Sequence, residues 1–148
     1  MKKARFLIPV LAAMFAGLFA TSCGPDQLIE GSHVRVAEMT VYRNQWNDDG
    51  SGYLWKSFDW SEGITNEVLQ YGTVVAYVYD GERQCPLPHV IPITYDNSQV
   101  VPENLRFDME PGIITFIMED LDGFLPAGIN TDLTFRVVST VPRAYVID

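Results

Sequence analysis

Cysteine and histidine are scarce in this chain, with two of each in 148 residues. The cysteines are Cys23 and Cys85, and the histidines are His33 and His89. If Cys23 is taken by another chemistry, Cys85 has no partner and no intramolecular disulfide can form. A zinc site needs three or four convergent ligands, and neither histidine has a second ligand at helical or strand spacing. Basic residues are also few, 10 against 19 acidic. That balance excludes a basic patch for nucleic acid or anionic head groups. A long apolar run is missing as well. The longest stretch covers residues 6–20, is broken by Pro9 and Gly17, and falls short of the roughly 20 residues a membrane span needs.

What that stretch does contain is a leader. Lys2, Lys3 and Arg5 precede the apolar run, and small Ala20, Thr21 and Ser22 lead into Cys23. A basic start, an apolar middle and a small-residue cleavage point describe a secretory signal peptide over residues 1–22. A cysteine at the first mature position predicts a lipoprotein, its thiol carrying a diacylglycerol and the chain holding acyl groups such as palmitate. The tetrad Ala20-Thr21-Ser22-Cys23 resembles the lipobox of bacterial lipoproteins, with Ala where Leu is usual. Each buried CH₂ contributes about 0.8 kcal/mol, so several acyl chains hold the protein firmly to a bilayer. Gly24, in place of Asp, resembles the signal for export to the outer membrane. The expected location is therefore the cell outer membrane, on its periplasmic or surface face.

Cleavage leaves 126 residues with 7 basic and 19 acidic side chains, a net charge of −12. That length suits one domain that is stable by burial alone. Residues 23–32 read as lipid anchor and short tether, and residues 33–148 as a single domain. From Val34 onward, β-branched and aromatic runs are separated by Gly, Pro, Asn and Asp. The pattern predicts an all-β fold, an immunoglobulin-like or related antiparallel sandwich of about seven to nine strands. Strands are expected at 33–43, with a bulge near 37–39, and at 53–60, 73–80, 93–95, 104–109, 113–119 and 132–141, with a last segment at 144–147. The 73–80 strand (TVVAYVYD) is apolar on both faces and so reads as central. Pro86, Pro88 and Pro92 mark an edge or extended connection. One short helix is expected at 65–71, capped by Thr65, packed through Ile64, Val68 and Leu69, and stopped by Gly72 in a left-handed conformation.

The segments FDWSEGITNEVLQYGTVVAYVY (58–79), PLP (86–88), NLRF (104–107), PGIITFI (111–117) and LTFRVV (133–138) together resemble a family of uncharacterised Bacteroidetes lipoproteins. The likeness covers about 90 of the 126 mature residues. Members pair an Ile-Thr-x-Glu-Val-Leu-x-x-Gly-x-Val phrase with a late Phe-Arg-Val-Val strand. Many relatives carry a collagen-like Gly-x-x spacer after the lipidated cysteine, which this chain lacks. The resemblance implies a lipid-anchored β-sandwich. It implies no activity and no catalytic residue.

Two acidic clusters are oxygen-rich: Asp48 and Asp49 beside Asn47 and Ser51, and Asp120 and Asp122 beside Glu119. Both are weak Ca²⁺ candidates, because neither has the alternating ligands and distal bidentate Glu of an EF-hand loop. An ordinary solvated turn accounts for each. The aromatic residues Trp46, Tyr53 and Trp55, with Phe124 in a long loop at 121–131, form a possible ligand contact. Rings flanked by carboxylates and amides suit sugar stacking, although they also suit a core. Trp60, in phase with Phe58, reads as core, and Trp46, between Asn44 and Asn47, as exposed. Cys85 reads as a buried, inert thiol. No nucleophile–base pairing can be named, so the chain reads as non-catalytic and without cofactor, with a small hydrolase as the remaining enzyme class. The expected partners are the membrane, through the lipid, and an envelope protein or glycan. The alternative is a structural subunit in which an edge near residues 86–95 accepts a partner strand.

Overall fold

The computed structural model describes residues 33–120 and 128–141, without the side chain of Asp120. The signal peptide, Cys23, the tether, Asp122, Phe124 and the 144–147 segment lie outside the described residues. Among the described residues, nine strands and one helix follow in the order β1 (His33–Val41), β2 (Asn47–Asp48), β3 (Tyr53–Asp59), α1 (Asn66–Tyr71), β4 (Thr73–Asp80), β5 (Arg83–Pro86), β6 (His89–Thr94), β7 (Val100–Glu110), β8 (Ile113–Asp120) and β9 (Leu133–Val141). They build two sheets, β1-β9-β4-β5 and β2-β3-β8-β7-β6, with every pairing antiparallel. The fold is an all-β sandwich.

Alternation explains the layers. In β9, Leu133, Phe135, Val137, Ser139 and Val141 are buried while the residues between them are half-buried. The period of two turns one face to the core. In β8 the inward set is Ile114, Phe116 and Met118, all fully buried. The two inner faces meet at Phe116 and Phe135, whose rings stack with centroids 3.9 Å apart, and Phe58 meets Phe116 edge-on at 6.0 Å. Each such ring removed from water contributes about 1.5–3 kcal/mol. Trp60, buried, closes the same core. β4 lies inside its sheet between β9 and β5, as its two apolar faces require.

Several local expectations are corrected. β1 has no bulge, because its register with β9 is unbroken from His33↔Val141 to Val41↔Leu133. The apparent phase shift arises because Val34 and Val36 sit on the outer face, 56% and 50% exposed, while Met39 and Val41 face the core. Helix α1 is capped by Thr65, whose Oγ1 accepts from the Val68 N–H at 3.1 Å, but Leu69 points to solvent. Gly72 is extended, with φ −97° and ψ −170°, not left-handed. Its need for glycine is steric. A Cβ there would lie 2.4 Å from the Thr140 carbonyl and 2.8 Å from that of Val68.

β6 and β7 are longer than their apolar cores imply. They pair through Pro92↔Pro102, where β6 is an edge and, among the described residues, β8 pairs no further along β7 than Glu103. Both prolines therefore stay clear of a doubly paired ladder. Cys85 is half-buried on edge strand β5, its side chain against the core. His33 and His89 lie on edge strands of different sheets.

Candidate functional site

The register of the five-stranded sheet decides which residues meet on its outer face. Trp55, Ile117 and Arg106 form one row across β3, β8 and β7. Ser57, Thr115 and Asp108 form the next, and Asp59, Ile113 and Glu110 the one after. The β7–β8 hairpin sets this alignment through a two-residue turn at Pro111-Gly112, with Gly112 at φ +82°. Together with Asp49 from the β2–β3 connection, these rows enclose an open concavity of about 360 Å³. Its walls are Asp49, Tyr53, Trp55, Ser57, Asp108, Glu110, Thr115 and Ile117.

The lining is mixed, with Tyr53, Trp55 and Ile117 beside hydroxyls and carboxylates. Ile117 points away from the core and is nevertheless buried, flanked in register by Trp55 and Arg106. Ser57 and Thr115 form a hydroxyl pair at 2.8 Å. Arg106 donates from Nε to Glu119 at 2.6 Å and from Nη1 to Asp108 at 2.7 Å. The Asp108 hydrogen bond raises the guanidinium pKa most, partial burial opposes it, and Glu119 adds to the rise. Asp49 accepts from the Ser51 N–H at 3.0 Å. Hydrogen bonds from the Ser51 side chain and then its backbone hold that carboxyl below its ordinary value. Three carboxylates thus face the concavity, one of them, Asp108, already paired with Arg106, and among the described residues that line it none is basic.

Of the sequence-predicted contacts, Tyr53 and Trp55 meet here. Trp46 does not, and its expected exposure is corrected. It is half-buried, packs against the core, and its Nε1 is enclosed without a hydrogen-bond partner among the described residues. Pairing of Asn47 with Trp55 sends Asn47 to the outer face, so the preceding Trp46 falls on the opposite phase and closes the core. Asp48 accepts from the Gly50 N–H at 2.8 Å, so both turn aspartates cap their own loop. Among the described residues, no three His, Cys, Asp or Glu side chains converge as metal ligands. Asp120, Asp122 and Phe124 contribute no described side chain.

Sequence reasoning missed Asp108, Glu110, Ser57 and Thr115. The turn at Pro111-Gly112 carried part of the signal, because pairing through it sets Asp108 opposite Thr115. No helix among the described residues is long and apolar enough to cross a membrane. No family model, curated protein or solved structure matches the chain.

Proposed function

We propose that this protein is a lipid-anchored, non-catalytic binding module of the bacterial outer membrane, held through Cys23 and reading a small ligand group in the concavity of its five-stranded sheet. The location rests on the leader and the Ala20-Thr21-Ser22-Cys23 tetrad. The binding role rests on one observation: Tyr53 and Trp55 share a concavity with a hydroxyl pair and three carboxylates. Aromatic faces beside hydroxyls accept a sugar ring. An aromatic face beside carboxylates accepts a cation, worth about 0.5–1 kcal/mol at an exposed ring. An amino sugar satisfies both, which makes an amine-bearing glycan the favoured ligand.

Two experiments test the two halves. Replacing Cys23 by Ser should move the protein from the membrane fraction to the soluble one, and continued retention contradicts the anchor. A glycan array that includes amino sugars should give hits that Trp55→Ala loses, with binding weakened about tenfold, one decade of affinity being about 1.4 kcal/mol. No hit from the array, or hits unchanged in Trp55→Ala, contradicts the binding site.

A further inference from the structure

Among the described residues the sandwich has four edge strands, and three of them are blunted. β2 is two residues long, β5 is four residues long and ends in Pro86, and β6 carries Pro92. Short strands and prolines are the usual devices that stop an edge from recruiting another chain. β1 is neither short nor interrupted by proline, and its charged residues are Arg35, half-buried on the inner face, and Glu38 on the outer face. It runs nine residues without Pro, Gly, Lys or bulge, and among the described residues only β9 pairs with it. Its acidic residue, Glu38, is engaged by the Tyr79 hydroxyl at 2.7 Å, which raises the Tyr79 pKa. The bare valines Val34 and Val36 complete an edge open to pairing.

From this contrast we infer that β1 is a dimerisation edge, pairing antiparallel with β1 of a second copy about a two-fold axis at Val36. The register follows from the sequence of the strand. In an antiparallel pair, opposed residues share a face, so the axis passes through a single residue. Centring on Arg35 or Glu38 sets like charges opposite each other. Centring on Ala37 also opposes no like charges, but it leaves no apolar pair on the outer face, setting Val36 against Glu38 and Val34 against Thr40. Centring on Val36 sets valine against valine, Arg35 against Ala37 and Val34 against Glu38, with no like charges opposed.

Charge compatibility is joined by continuity of the outer face. Val36 is in register with Val138, and Val138 with Val75. The two-fold doubles this row to six valines in one continuous sheet of eight strands. The occupant is therefore a second copy of this chain, since its own outer face supplies the matching row. An isologous contact of this kind closes on itself and makes a dimer, not a fibre. The arrangement does not depend on the ligand in the concavity, which lies on the other sheet.

The test uses the full acylated chain in its membrane, with Cys85→Ser as background. Opposed Cβ atoms in such a pair are about 4.5–5.5 Å apart, so Val36→Cys should form a disulfide-linked dimer under mild oxidation. Val90→Cys, on blunted edge β6, should not. In detergent, light scattering of the unaltered chain should give the dimer mass. Val36→Lys should weaken that dimer about tenfold or more while leaving the thermal transition of the domain in place. Disulfide linkage of Val36→Cys no faster than that of Val90→Cys overturns the proposal. An unaltered chain of monomer mass at the highest attainable concentration, or a Val36→Lys dimer as tight as the parent, does the same.

Discussion

Asp49 keeps the concavity anionic into the acid range, because Ser51 holds its carboxyl below the ordinary value of 3.8. The sign follows from the direction of the shift. A carboxyl depressed in the fold contributes stability above its unfolded value, and that contribution is lost as pH falls through the lower folded value. Asp49 is fully exposed, so the contribution to folding is small and the effect on the charge of the concavity is the one to measure. Ser51→Ala removes the largest cause, and the Asp49 carboxyl carbon followed by NMR should titrate closer to 3.8. An unchanged titration contradicts the assigned cause. The tryptophans show how far single residues were legible. Trp60 and Trp55 declared their faces through alternation with Leu54 and Phe58, whereas Trp46 sits before a two-residue strand too short to display a period. Its polar neighbours Asn44 and Asn47 described the turn, not the ring between them.

Elements were legible where period or punctuation was strong. β9 alternates without a break, β4 is apolar on both faces, and Asp80-Gly81 and Pro111-Gly112 both close hairpins. β1 misled because Val34 and Val36 face solvent, so apolarity there does not track the core. Helix α1 was placed by its Thr65 cap, but the closest contact behind its terminal glycine was not local. Gly72 is required by the Thr140 carbonyl of β9, far away in sequence. Gly72→Ala should therefore destabilise the domain by about 1–3 kcal/mol, the usual cost of an overpacked site. A urea melt reads this as a lower midpoint at unchanged slope, and a midpoint equal to the parent's contradicts the close approach.

At the scale of the molecule, the fold class followed from short β-branched runs between turn residues, but the site did not. Tyr53 and Trp55 were visible as an aromatic pair beside an acidic turn. Asp108 and Glu110 join them only because β3 pairs with β8 and β8 with β7, and the first of those pairings spans about sixty residues of chain with no local signal. These pairings give one sheet a carboxylate-and-aromatic concavity, while the β1–β9 and β4–β9 pairings give the other a valine row and, among the described residues, an open edge. Under the proposed anchoring through Cys23, the domain would bind a ligand with one sheet while pairing through the other. The most direct measurement is a backbone and indole NMR titration of the protein with a soluble amino sugar oligomer. The proposed site predicts shifts confined to Tyr53, Trp55, Ser57, Asp108, Glu110 and Thr115, with the Trp46 and Trp60 indoles unmoved. Shifts centred elsewhere, or none at saturating ligand, would contradict it.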